Sequence, residues 1–134
     1  MSTEVVIDAS IAADLVLSES KRQALLEHEL FNGRHDFHAP TLIDFEVTST
    51  IRKALLAHQL TEQEAWIALE EYFQVPISRY ADAPLMLRAL QLRENISAYD
   101  GTYVALTEAV NGVMITRDIR LARAASRHCE VLVL

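Results

Sequence analysis

The chain is poor in the residues that staple, break and anchor a fold. Cys129 is its only cysteine, so an intrachain disulfide and a thiolate zinc cluster are excluded, and a reducing compartment fits. Three glycines and three prolines leave little material for turns, which points to a helix-rich chain with short connections. No apolar run approaches a membrane span, and the opening Met1-Ser2-Thr3-Glu4 lacks a basic leader segment. The expectation is a soluble, cytoplasmic protein with no membrane partner. Positive charge is short as well: 12 Lys and Arg stand against 19 Asp and Glu, a net charge of -7. That disfavours passive binding to nucleic acid, whose phosphates are met by Lys and Arg. It does not exclude a metal-dependent nuclease, which concentrates carboxylates and lets bound cations reverse the local sign.

What is present is apolar and periodic. Hydrophobic residues make up 51% of 134 residues with no low-complexity tract, enough for one core and a single domain spanning 1–134. Val5-Val6-Ile7 is a β-branched run without polar alternation, as expected of a strand covered on both faces in a parallel sheet, and it stops at Asp8. Ile11 to Leu17 and Ser20 to Leu30 read as helices, the second broken at Asn32-Gly33. Phe37 to Ala39 is a weak strand bounded by Pro40. From Thr41 to His58, Ile43, Val47, Ile51, Ala54 and Leu55 recur at helical spacing. Thr61-Glu62-Gln63-Glu64 matches a capping box opening the next helix. Further strands are expected at Val75 to Ile77, Val113 to Ile115 and Val131 to Val133. Further helices are expected after Asp82, over Tyr99 to Val110, and over Ile119 to Ser126. Strands alternating with helices define a three-layer α/β/α sandwich with a mostly parallel central sheet of four to five strands.

Several acids have a local explanation as helix caps: Asp8, Asp118, and Asp100 within Ser97-Ala98-Tyr99-Asp100. Their convergence is harder to explain that way. Asp8 and Asp118 each follow a β-rich run, so in a parallel sheet both lie at its carboxyl edge, where open α/β sheets hold ligands. Asp100 opens a helix of about a dozen residues, nearly 20 Å long, which must run antiparallel to the strand it feeds and so starts at the same edge. Glu46, in the second turn of the helix leaving the second strand, joins them. Its neighbour Asp44 is read as the capping acid of Thr41-Leu42-Ile43-Asp44, Asp82 as the cap before Ala83-Pro84, Asp14 as lying inside the first helix, and Asp36 as preceding its strand.

Four carboxylates in one crevice repel one another unless a cation joins them, and oxygen-only ligation suits Mg²⁺ or Mn²⁺ rather than zinc. The five histidines, His28, His35, His38, His58 and His128, show no metal-binding spacing and are read as surface or core residues, and Trp66, Tyr72 and Phe73, on one helical stripe, as core or interface. Arg117, Arg120, Arg123 and Arg127 begin beside Asp118, the last three sharing one helical face. They are either a solvated face or a phosphate-binding cluster for RNA.

Val6-Ile7-Asp8-Ala9-Ser10, the helical Glu46, Ser97-Ala98-Tyr99-Asp100 with Tyr103-Val104-Ala105-Leu106, and Thr116-Arg117-Asp118 with Arg120-Leu121-Ala122-Arg123 together resemble a PIN-domain ribonuclease. More narrowly, the chain is similar to the VapC toxins of toxin-antitoxin pairs, in order and over nearly its whole length. Gly101 stands where members often carry alanine. The resemblance implies metal-dependent endonucleolytic cleavage of RNA, homodimerisation and neutralisation by a small cognate antitoxin. It implies that Asp8, Glu46, Asp100 and Asp118 are the catalytic and metal-binding acids, Asp8 and Asp100 most directly. Ser10 and Thr116 would supply hydroxyls that orient carboxylates or waters. The antitoxin would lay a helix into a groove near the first two helices and direct a basic side chain at the acids.

Two other readings share the fold class. An aspartate-based phosphatase or phosphotransfer domain also places an Asp after a strand, but it needs a late lysine, and none follows Lys53. A domain that only binds its partner would not require all four acids.

Overall fold

The computed structural model describes residues 3–33 and 35–134; Met1 and Ser2 of the opening Met1-Ser2-Thr3-Glu4 lie outside them. Five strands form one sheet: β1 (Thr3–Ile7), β2 (His35–Pro40), β3 (Ile77–Tyr80), β4 (Val113–Thr116) and β5 (Glu130–Val133). Their order across the sheet is β3-β2-β1-β4-β5, and every neighbouring pair is parallel. Parallel neighbours require crossovers, and helices supply them. These are α1 (Ala9–Leu17), α2 (Glu19–Glu27), α3 (Glu29–Asn32), α4 (Leu42–Leu56), α5 (Glu62–Gln74), α6 (Met86–Gln91), α7 (Ala98–Val110) and α8 (Ile119–Ala125), with one 3-10 turn at Ala83–Leu85.

β1 is central because its side chains are apolar in both directions. Val5, Val6 and Ile7 are all fully buried, as are Met114 and Ile115 of β4 beside them. Helices α1, α4 and α5 pack on one another, while α6 and α7 pack as a pair with α7 against β1, β2 and β4. The chain moves outward one way from β1 through β2 to β3, then returns to the other side of β1 for β4 and β5. That reversal opens a crevice beyond the carboxyl ends of β1 and β4.

Several local readings are corrected. The third strand begins at Ile77, because Val75 is the C-cap of α5 and its N–H bonds the Tyr72 carbonyl. The helix expected from Ser20 to Leu30 is two, divided at His28, whose ring Nδ1 accepts the Leu30 N–H and so starts α3. Asp36 lies within β2 rather than before it, still toward the end away from the crevice. Helix α8 stops at Ala125, so Arg127 lies beyond the helical face it was grouped with. The Thr61–Glu64 capping box forms with both halves present. At the end of α7, Asn111 takes the left-handed backbone (φ 53), and a Cβ on Gly112 would overlap the Glu4 carbonyl of β1. Gly101 answers a similar need, since a Cβ there would stand 3.2 Å from Ala89 Cα, so glycine lets α7 lie close on α6.

Candidate active site

Asp8 is the fixed point of the crevice. It ends β1 and caps α1, its Oδ1 accepting the Ile11 N–H at 3.2 Å and the Ser10 hydroxyl at 2.5 Å. Its Oδ2 accepts the hydroxyl of Thr116, the last residue of β4. Both hydroxyls are themselves aimed by backbone: Ser10 Oγ accepts the Arg117 N–H at 3.1 Å, and Thr116 Oγ1 accepts the Asp118 N–H at 3.0 Å. Two amides of the β4–α8 turn thus orient two hydroxyls onto one carboxylate. Asp8 is only 6% exposed, and burial raises its pKa, opposed by these hydrogen bonds.

Two of the other acids arrive on helix starts and the third, Glu46, in the second turn of α4. Asp118 caps α8, its Oδ1 accepting the Arg120 and Leu121 amides at 2.9 and 3.1 Å. Asp100 lies in the first turn of α7, its N–H bonded to Ser97 Oγ at 3.1 Å. Burial raises its pKa, and the charges of Asp8 and Asp118 raise it further. Glu46, on α4, accepts the Tyr103 hydroxyl at 2.6 Å. Burial raises it too, the Tyr103 hydrogen bond opposes this, and the charges of Asp100, Asp8 and Asp82 add to the rise. Asp100 therefore faces both Asp8 and Asp118, and Glu46 faces Asp100 and Asp8, so the four acids line one crevice.

Two contributors have no local signature. Asp82 does not cap the turn that follows it. Its carboxylate reaches from the end of β3 to the start of α4, accepting Thr41 Oγ1 at 2.9 Å and the Leu42 N–H at 3.1 Å. Thr41 has helical backbone (φ -59, ψ -24) and makes no side-chain cap, so an outside acid takes that role. Tyr103 stands three residues after Asp100, on the same side of α7, and is 1% exposed. Asp44, expected to cap α4, instead accepts the Tyr72 hydroxyl at 2.6 Å and Arg79 Nε at 3.0 Å, which directs it away from the crevice.

The PIN domain sequence model matches residues 5–127. The chain belongs to the PIN domain family. It is 32% identical to the VapC ribonuclease Mb0985 of Mycobacterium bovis over 129 residues, 96% of this chain and 97% of that protein. Its fold is similar to that of PAE2754 from Pyrobaculum aerophilum, with TM-score 0.70, 19% identity, and 96% and 83% of the two chains covered. It is also similar to VapBC2 from Rickettsia felis, solved bound to a DNA fragment from its promoter, with TM-score 0.68, 14% identity, and 97% and 98% covered.

In this PIN domain the crevice has the donor chemistry of a hard-cation site: carboxylate oxygens only, in a field that a divalent cation would relieve. Among the described residues no three acidic, histidine or cysteine side chains close on a single point as a finished metal-binding group. The fit therefore lies in the donor type and the shared field.

The arginines beside the site divide. Arg117 donates through Nε to Asp14 Oδ2 at 2.7 Å and through its guanidinium to the Leu134 carbonyl, so it ties α1 to the end of β5. Arg120 and Arg123 are exposed on α8, and Arg120 borders a polar pocket with Asp100 and Asp118.

Proposed function

We propose that this PIN domain is a Mg²⁺- or Mn²⁺-dependent endoribonuclease, the toxin of a toxin-antitoxin pair, acting in the cytoplasm as a homodimer. The observation that carries the reading is the arrival of Asp8, Glu46, Asp100 and Asp118 at one crevice from four separate segments, with Asp8 held from both oxygens by Ser10 and Thr116. The named ribonuclease among its relatives supports the activity.

In this reading Asp8 and Asp100 hold the cation most directly, and Glu46 and Asp118 complete its surroundings. The bound cation supplies charge to polarise a phosphodiester and to lower the pKa of a water. The chain's part is orientation. Ser10 and Thr116 keep Asp8 in one rotamer, Tyr103 keeps Glu46 turned inward, and the helix-start amides keep Asp118 in place. Arg120 and Arg123 offer cations to the RNA backbone outside the carboxylates.

An apolar groove of about 480 Å³ between α1, α2 and the end of α5, lined by Leu15, Val16, Leu26, Phe31 and Phe37, suits an apolar helix of the antitoxin. The exposed Met86, Leu87 and Leu90 of α6 offer an apolar surface to a second copy.

The test is cleavage of RNA by the purified chain with and without Mg²⁺, beside Asp100→Asn. The reading requires metal-dependent cleavage that the variant abolishes, and growth arrest on expression that Asp8→Asn relieves. Cleavage that persists in Asp100→Asn would refute the site, and intact RNA with unaltered growth would leave a partner-binding module.

A further inference from the structure

Asp14 is the only charged residue of α1, which is otherwise apolar apart from Ser10. An acid inside a helix caps nothing and is a mediocre helix former, so its side chain has to be accounted for elsewhere. It meets two cations. Lys21 of α2 stands 3.7 Å from Oδ1 and is 60% exposed, a loose surface pair that contributes little. Arg117 donates from Nε to Oδ2 at 2.7 Å and is 29% exposed, a short charge-assisted bond largely sheltered from salt. The Arg117 guanidinium also donates to the Leu134 carbonyl, and the Leu134 N–H donates to the Thr116 carbonyl at 3.1 Å.

Arg117 therefore docks on α1 at two points. Its backbone N–H meets Ser10 Oγ at 3.1 Å and its side chain meets Asp14, while Ser10 and Asp14 lie one helical turn apart, about 6 Å at Cβ. One contact would let the β4–α8 turn roll along α1; two on one helix face hold it still. Asp8 is the N-cap of α1 and Asp118 the N-cap of α8, and Arg117 stands between Thr116 and Asp118. The two acids carry like charge, so nothing in them keeps the distance that a cation can span. An ion pair serving stability alone could lie anywhere along α1. This one lies one turn from the hydroxyl that aims Asp8 and on the residue that precedes Asp118.

We infer that Arg117 and Asp14 are positioning residues: their ion pair holds α1 against the β4–α8 turn, sets the separation of Asp8 and Asp118, and so governs how tightly the crevice takes a divalent cation. This role rests on the metal-dependent ribonuclease reading above and adds to it two side chains that act through Ser10, Asp8 and Asp118. It also reverses what Asp14 would do beside an Arg117 that binds RNA. In that case Asp14 would compete with phosphate for the guanidinium, and its removal would help substrate bind. As half of a tether, its removal costs as much as removal of Arg117.

The experiment uses the full chain with Asp14→Ala, Arg117→Gln, the double variant and Lys21→Gln, each checked for folding by circular dichroism at the assay temperature. Alanine is a better helix former than aspartate, so Asp14→Ala keeps α1 even where Arg117→Gln fails to fold. Mn²⁺ binding is measured by isothermal titration calorimetry, and cleavage of single-stranded RNA by steady-state kinetics at one fixed Mg²⁺ concentration. Asp14→Ala and Arg117→Gln should each weaken Mn²⁺ binding about tenfold and lower kcat about tenfold with KM within about twofold, as expected of partners that orient metal ligands. The double variant should lose no more than the worse single one, because both remove the same tether. Lys21→Gln should match the wild type. Folded variants with a lowered Tm but wild-type Mn²⁺ affinity and kcat would overturn the role, by leaving the pair a stabilising contact alone. A fall in KM in Asp14→Ala with unchanged kcat would overturn it too, by making Arg117 an RNA contact. If the wild-type chain binds no Mn²⁺ and cleaves no RNA, the ribonuclease reading fails, and amide exchange decides the tether. The Arg117 and Asp118 N–H groups, bonded to Ser10 Oγ and Thr116 Oγ1, should exchange about tenfold faster in Asp14→Ala, and unchanged protection would end it.

Discussion

The Tyr103 hydroxyl donates to Oε1 of Glu46 at 2.6 Å, joining α7 to α4 across 57 positions of sequence. Tyr103 is buried, and its hydroxyl pKa is pushed up by burial and by the Glu46 charge, so it stays a donor at any working pH. It is thus a positioning residue for an acid that has no other hydrogen-bond partner among the described side chains. Tyr103→Phe should cost about 1–2 kcal/mol of stability, as expected for a hydrogen bond to a charged group. It should also lower RNA cleavage about tenfold through kcat. Urea unfolding and steady-state kinetics measure the two, and unchanged kcat would show that Glu46 needs no such hold.

Metal and pH should act on stability together. Asp8 and Asp100 lie above their ordinary value of 3.8 and Glu46 above 4.5, chiefly through burial. Between the ordinary and the raised values the folded chain holds more protons than the unfolded chain. The contribution of these groups to stability therefore falls as pH rises through that window and is lowest above it. In EDTA, Asp100→Asn should raise Tm at neutral pH; with Mg²⁺ the wild type should gain Tm there, and the gain should fade on acidification as protons compete with the metal. Thermal melts across pH with EDTA or Mg²⁺ test this, and a Tm indifferent to Mg²⁺ at neutral pH would contradict it.

Asp82 has two measurable effects. Asp82→Ala strips the Leu42 N–H and the Thr41 hydroxyl of their acceptor and should cost about 1 kcal/mol, while Asp82→Asn should retain most of it. Either variant removes a charge that raises Glu46, so the acid limb of the cleavage profile should move to lower pH. A limb that stays in place would show that Asp82 acts on the helix alone.

Asp44 and Glu46 lie two residues apart on α4 and should separate cleanly. Asp44→Ala leaves the Tyr72 hydroxyl and the Arg79 guanidinium without their shared acceptor and should cost about 2 kcal/mol. Cleavage per folded molecule should remain at wild-type level. Glu46→Ala should lose cleavage, and because it strips the buried Tyr103 hydroxyl of its acceptor its stability cost should match that of Tyr103→Phe, about 1–2 kcal/mol.

The acids were legible because two periodicities and one topology locate them. A buried strand that stops at Asp8, a strand before Asp118, and a helix whose length returns Asp100 to the same edge need only parallel pairing to converge. Asp82 and Asp44 were misread for one reason. Each lies where a local cap pattern exists, but their partners are 28 to 41 residues distant, and no local pattern announces an acceptor brought in by the sheet. The Arg117–Asp14 pair, 103 positions apart, has no local signal either. The third strand slipped by two residues because Val75 and Pro76 are apolar enough to read as strand, while the α5 C-cap uses Val75.

Asp8 and Asp118 hold helix starts with the same carboxylates that would hold an ion. Occupancy of the crevice is therefore written into the amide protons of Ile11, Arg120 and Leu121, whose exchange with solvent would report ion arrival without any substrate. An alanine at either acid would fray a helix as well as silence the enzyme, whereas asparagine spares the cap. A mutational scan scored only by growth would confuse the two kinds of damage.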